Sequence, residues 1–233
     1  MNLTLQIVLF YIPLFLTTLI LGIFYKKIKW YFWFVAIFSG MVAIIPSVLI
    51  QFFVPNILRL GLSSDSSVSY STAQVLLSLL LGTFILNGLI EEGFKTIFSM
   101  VLLPNRHNLK EFLLLCLIMA LSFATFENVV YIILGMGFVA LRMISATLVH
   151  LICSVLNGFF IWNAFQKKLA LRPIFCSVVV HTLYNFFVSL NGAIRWAAIA
   201  VVLFGIFECI LFYDIYRASG TRIRDPKSPR LVR

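Results

Sequence analysis

The sequence predicts an all-α fold, a polytopic membrane helix bundle of about seven transmembrane helices with the N-terminus outside and the C-terminus cytoplasmic. Three observations predict it. Of 233 residues, 62% are hydrophobic and only 11% charged, with 24 Phe and a mean hydropathy of +1.05; this excludes a water-soluble domain and a disordered chain. The apolar residues gather into seven runs, each near the roughly 20 residues that a helix needs to cross a hydrocarbon core of about 30 Å. The basic residues lie between those runs, so the formal charge of +10 reads as membrane topology and not as a nucleic-acid footprint.

The spans are expected at residues 3–25, 30–54, 73–103, 111–134, 138–165, 174–190 and 196–213. The first has no basic n-region and no small-residue cleavage site, and it runs past twenty residues into Lys26, Lys27 and Lys29. It is therefore expected to stay as an anchor, unlike a signal peptide. The second follows that basic turn and precedes the one low-complexity patch, Ser63 to Ser71. The third is long: about thirty residues make a helix of about 45 Å, expected to tilt, protrude or break near Gly88 to Gly93. The last four are separated by short turns, and no repeat of 20 to 50 residues is visible. Fourteen Lys and Arg fall on one side of the bundle, among them Lys26, Lys27, Lys29, Arg106, Lys110 and the basic tail. Only Arg59, Arg142 and Arg195 fall on the other, and the richer side is expected to be cytoplasmic. The chain thus divides into two N-terminal helices with an outer loop (1–72), a four-helix core (73–190), and a last helix with a basic cytoplasmic tail (191–233). Cys116, Cys153, Cys176 and Cys209 lie inside apolar runs and read as small buried hydrophobes, not as a disulfide framework.

An ionised side chain at mid-bilayer costs roughly 2.5 to 3.5 kcal/mol on insertion scales, so each one needs a partner, a cavity or a changed protonation state. Here they cluster. Span three carries Glu91, Glu92 and Lys95, span four Glu127, span five His150, and span six His181 with Asn185. Glu91 and Lys95 are four apart and expected to share a helix face, with Glu92 about 100° around. Phe123, Glu127 and Tyr131 form a stripe, His181 and Asn185 stack, and His150 stands above Asn157 and Gly158, where a small residue admits a neighbouring helix or substrate. Each has an ordinary structural explanation alone: His150 and His181 as interhelical hydrogen-bonding groups, Glu91 with Lys95 as a neutralised pair, Glu127 as a hydrogen-bonded core acid. Such groups on four successive helices point instead to a polar chamber. Glu208, Arg142 and His107 are left out of it, the first two as residues that snorkel towards an interface and the third as a loop residue.

Paired carboxylates in low dielectric suit a general base and acid for activating water. A histidine orients the water or donates to a developing oxyanion, and an amide such as Asn185 does the second without titrating. Glu and His are equally zinc ligands, and the spacing does not distinguish these cases. There is no His-Glu-x-x-His, no Gly-x-Ser-x-Gly and no intramembrane Asp pair, so zincin, serine-hydrolase and presenilin-like aspartyl chemistries lack their residues.

Glu91-Glu92-x-x-Lys95, Phe123-x-x-x-Glu127, His150 with Gly158 eight residues on, and His181-x-x-x-Asn185, on successive spans, resemble the PrsW family of bacterial intramembrane proteases. The wider group holds the CAAX prenyl-protein proteases and bacteriocin-processing or immunity proteases; it typically has His where Glu127 stands, which favours PrsW. The similar region covers about residues 80–190. The resemblance implies a multi-pass endopeptidase of the bacterial cytoplasmic membrane that cuts a single-span membrane protein; in the PrsW prototype this is an anti-sigma factor, cut at the first step of regulated proteolysis. By position, it implies that Glu91 and Glu92 activate water, that Glu127 and His150 complete the polar centre, and that His181 and Asn185 stabilise the oxyanion, with Lys95 supporting. No cofactor is favoured, and the alternative is a divalent metal such as zinc. Three other readings use the same residues: a proton-coupled transporter, a bis-histidine haem protein through His150 and His181, and a catalytically silent scaffold. The lack of an internal repeat weighs against the transporter.

Overall fold

The computed structural model describes residues 3–61, 72–102, 107–135 and 139–218, and for residues 3, 6, 54–61 and 139–143 the backbone alone. The serine patch, Arg106, and Arg222, Arg224, Lys227, Arg230 and Arg233 of the tail lie outside the described residues, as do the side chains of Arg59 and Arg142. Among the described residues the elements are α1 (Leu3–Phe24), α2 (Trp30–Gly61), α3 (Thr72–Thr83), a π-helical segment (Phe84–Glu91), α4 (Glu92–Ser99), α5 (Leu109–Ile133), α6 (Val139–Phe165), α7 (Arg172–Ser189) and α8 (Ala197–Ala218), with no strand. The protein is an all-α, multi-pass membrane protein.

Local chemistry sets the helix ends. Asn108 caps α5 by accepting from the Glu111 amide at 2.9 Å, while the Glu111 carboxylate accepts from the Asn108 amide at 3.3 Å, a reciprocal capping box. Past the other end of α5, Gly135 takes a φ of 67°, the left-handed conformation that glycine adopts without steric cost. The long third span does not break. It runs continuously from α3 through the π segment into α4, and the irregularity expected near Gly88 to Gly93 is the wider π turn over Phe84–Glu91.

Among the described residues six helices are long and apolar enough to cross a membrane, against about seven expected spans. The one that falls short is α7, whose 18 residues include Arg172, Pro173, His181 and Asn185. Its environment explains this: it packs against α6, α8 and the π segment, so Ser177, His181 and Thr182 are buried against protein. The most buried helix is α5, flanked by α6, α2 and α1. Large apolar side chains such as Phe15, Phe24, Phe34, Phe38, Phe52 and Phe207 point outwards, as a lipid-facing surface requires. Although the sequence places α2 in the N-terminal segment, it lies along α5 and reaches the site described below.

One expectation is corrected, and one loop residue is found buried. Glu208 does not snorkel. It is buried and accepts from Arg172 Nη2 at 2.9 and 3.1 Å, because α7 and α8 are neighbours and the arginine closes over the carboxylate. His107, although outside a helix, is also buried, edge-on to Phe32 at 4.4 Å between ring centroids.

Close helix approach depends on small residues, as expected where lipid removes much of the hydrophobic drive for association. A Cβ at Gly40 would collide with the Met119 carbonyl oxygen and stand 2.8 Å from Ser122 Cβ of α5, where Ser122 Oγ donates to the Ile37 carbonyl at 2.7 Å. Gly40→Ala is therefore expected to push α2 off α5 and to destabilise by about 1–3 kcal/mol. Gly22→Ala, with nothing within 4 Å of the new atom, is expected to leave the unfolding midpoint in detergent unchanged or slightly raised, since alanine is the better helix former.

Candidate active site

The acids and histidines of four successive spans meet in the bundle interior. Glu91, Glu92, Lys95, Glu127, His150 and His181 are all buried, Glu92 and Lys95 completely. What brings them together is the close packing of the π segment and α4 against α2, α6 and α7, with α5 behind α6. Gly88 sits where a side chain would strike Thr182 and Val178 of α7, so glycine lets the π segment close on that helix. A π turn at this position is of a kind often found at functional sites.

The two adjacent glutamates have different surroundings. Glu92 is held on all sides: one oxygen pairs with Lys95 Nζ and His181 Nδ1, and the other accepts from Asn157 Nδ2 at 2.8 Å and Ser177 Oγ at 3.0 Å. Glu91 has one busy oxygen and one free. Its Oε1 accepts from Gln51 Nε2 at 2.5 Å and Asn87 Nδ2 at 3.0 Å. Its Oε2 is buried, has no hydrogen-bond partner among the described residues, and lies 3.7 Å from His181 Nε2. The ordinary explanation of Glu91 with Lys95 as a neutralised pair is not what forms: Lys95 pairs with Glu92 at i,i+3, and Gln51 and Asn87 hold Glu91.

Hydrogen-bond logic assigns the histidine tautomers. The Lys95 ammonium can only donate, so His150 Nδ1 accepts from it at 3.2 Å, and His150 Nε2 donates to Glu127 Oε2 at 2.6 Å. The Glu92 carboxylate accepts from His181 Nδ1, which leaves His181 Nε2 turned towards Glu91. Lys95 also lies over the Phe123 ring at 5.0 Å, and Phe123 packs on His150 at 5.3 Å, so the Phe123, Glu127 stripe on α5 faces the chamber. The two imidazole rings are edge to face at 5.0 Å, which leaves no slot for a macrocycle between them and removes the bis-histidine haem reading.

Charge sets a further condition. Three buried carboxylates stand against one ammonium, and buried charge is costly unless compensated. Protons on the imidazoles or carboxyls, or a divalent cation, supply the balance. Among the described residues two groups are able to hold a metal ion: Glu91, His150 and His181, or Glu92, Cys153 and His181, with ligand atoms within 4.8 Å of one another in each. The first set fits better. Glu91 Oε2 is unpartnered, and each histidine has its far nitrogen on a carboxylate, the outer arrangement usual for metal-binding histidines, although His150 Nδ1 would have to give up the Lys95 donor to take an ion. In the second set, Glu92 already has four partners and Cys153 Sγ is turned to the Ser177 carbonyl at 3.4 Å.

Of the site residues expected from the sequence, the structure gathers Glu91, Glu92, Lys95, Glu127, His150 and His181. Asn185 stands one turn along α7, half-buried, with its amide donating to the His181 carbonyl of its own helix at 3.4 Å. Four contributors were not assigned a role from the sequence: Gln51, Asn87, Asn157 and Ser177. Their spacings hold a signal, since Asn87 is four residues before Glu91, Ser177 four before His181 and Asn157 seven after His150; Gln51 is a lone amide in an apolar run. Gly158, expected to admit a helix or substrate, faces Leu113 and Cys116 of α5 and so serves helix packing.

No curated protein and no solved structure matches the chain. A family model, PrsW family intramembrane metalloprotease, matches residues 27–211, a stretch that contains every residue of the cluster. The chain belongs to the PrsW family and is an intramembrane protease.

Proposed function

We propose that the chain hydrolyses a peptide bond in a single-span membrane protein, an anti-sigma factor being the substrate type suggested by its resemblance to the PrsW prototype, and that Glu91 is the group that activates water. The observation that carries this reading is the free Glu91 Oε2 facing His181 Nε2 at 3.7 Å. Two acceptor atoms this close are unfavourable unless a proton, a water or a cation lies between them. A water donating to Glu91 Oε2 passes its proton there as it attacks the scissile carbonyl, and Glu91 then returns the proton to the leaving amine. Gln51 and Asn87 fix the carboxylate through its other oxygen. Glu92 holds His181 in the tautomer that presents Nε2, and Glu127 holds His150. Asn185 is the nearest side-chain amide on α7 for a developing oxyanion, once it leaves its own backbone.

A second reading is favoured by the paired histidine–carboxylate arrangement and by the excess of negative charge. Glu91, His150 and His181 would hold a divalent metal, and such an ion supplies Lewis acidity that makes water a nucleophile near neutral pH. Glu91 then acts as a ligand, and Glu92 and Glu127 orient the two imidazoles.

The test is to incubate the purified protein in liposomes with a single-span anti-sigma factor, with and without a chelator, and to read the fragments by mass spectrometry. Discrete fragments are expected, and an intact substrate in every arm contradicts the proposal. Cleavage that survives chelation and is lost in Glu91→Gln supports Glu91 as base; loss on chelation with recovery on adding zinc supports the metal centre. In the metal case, elemental analysis is expected to find about one divalent ion per chain, lost in His150→Ala and His181→Ala.

A further inference from the structure

A separate cavity of about 890 Å³ opens between α1 and α2, away from the acidic cluster. It exists because α1 leans on α5, where the Tyr11 ring meets Phe126 edge-on at 5.5 Å, and touches α2 little. Its walls are apolar, from Tyr11, Phe15 and Leu19 on one side and Trp33 and Ile37 on the other. Thr18 adds no polar demand, since its hydroxyl donates to the Leu14 carbonyl at 2.7 Å. One end is different in kind: Lys26 and Lys29 line it, both exposed. Lys29 Nζ stands over the Tyr31 ring at 5.9 Å, and Lys110 stands over the neighbouring Tyr25 at 5.3 Å.

We infer that this groove is a binding site for one anionic phospholipid, with acyl chain between α1 and α2 and phosphate on Lys26 and Lys29. Size and charge select the occupant. The volume lies in the range of about 300–1,000 Å³ usual for small-ligand sites, and the paired lysines at one end call for an occupant with a negative head. The chain's own tail carries Arg222, Arg224, Lys227, Arg230 and Arg233 and is repelled by these lysines. A second copy would bring the same basic turn to this end. An apolar slot ending in paired cations at helix termini is complementary to a lipid with hydrocarbon below and negative charge above. Because Phe126 precedes Glu127, a lipid in the groove braces α1 against the helix that carries one acid of the site.

Native mass spectrometry of the full-length protein in mild detergent, titrated with phosphatidylglycerol or with phosphatidylcholine of the same chains, tests this. Near an anionic surface each lysine is worth roughly five-fold in affinity, so wild type is expected to prefer phosphatidylglycerol by roughly 25-fold. Lys26→Ala with Lys29→Ala is expected to bring the two lipids near parity. Leu19→Trp with Gly22→Leu, which fills the slot and leaves the lysines in place, is expected to lose both lipids. Equal retention of the two lipids by wild type overturns the inference, as does undiminished phosphatidylglycerol binding in either double variant, or a wild type that carries no lipid and dimerises through this face. Should the lysine variant fail to fold, wild type decides alone: brominated phosphatidylglycerol is expected to quench tryptophan fluorescence more strongly than brominated phosphatidylcholine, and equal quenching overturns the site.

Discussion

Glu91→Gln is expected to lower the rate of substrate cleavage by about 10²- to 10⁴-fold, the usual contribution of a positioned general base, while the protein stays folded. The amide is nearly isosteric with the carboxylate. Its oxygen still accepts from Gln51 and Asn87, as Glu91 Oε1 does now, and its NH2 faces His181 Nε2, where it donates in place of an unpartnered acceptor. One of three buried negative charges disappears, so stability is expected to hold or rise slightly. Only the oxygen able to receive a proton, or to bind a cation, is lost. The measurement is initial cleavage rate beside the unfolding midpoint in detergent. A variant that keeps wild-type cleavage assigns water activation elsewhere.

Glu92→Gln is expected to behave quite differently, although the residue is next in sequence and identical in type. Glu92 is the counter-charge of Lys95, and both side chains are completely buried. Removing one partner of a buried pair strands the other and typically costs about 3–5 kcal/mol. The same substitution weakens acceptance from Asn157, Ser177 and His181. A fall of roughly 10 °C in the thermal midpoint is the expected scale for a chain of this size, with a loss of monodisperse protein on size-exclusion chromatography. Adding Lys95→Met is expected to recover much of that loss, because the double variant buries neither charge. Recovery of fold together with cleavage assigns Glu92 a structural task alone, whereas recovery of fold without cleavage shows that Glu92 also serves the chemistry through its hold on His181. If Glu92→Gln alone unfolds like wild type, the ion pair is not what holds α4 in place.

How much of this was legible beforehand follows from the range of the interactions. Helix count and rough limits are local properties of apolar run length, and the expected spans lie within a few residues of the helices at most ends. The gathering of Glu91, Glu92, Glu127, His150 and His181 was legible too, since membrane burial leaves polar groups few places to go. Partner choice was not. Lys95 can reach either an i−3 or an i−4 acid; it pairs with Glu92, while Glu91 is held by Gln51 from a helix forty residues earlier. The π turn arises from close packing of Gly88 on α7, which no run of residues displays. Glu208 looked like an interfacial acid because its neighbours in sequence are apolar, and Arg172, its partner, lies 36 residues away.

The most direct measurement is the position of the cut. With wild-type protein and a single-span substrate reconstituted in liposomes, fragment masses are expected to place the hydrolysed bond within the substrate's membrane-embedded segment, with the cut absent in Glu91→Gln. Cleavage confined to the water-exposed part of the substrate, or the same embedded cut made by Glu91→Gln, contradicts a hydrolytic centre at the buried cluster.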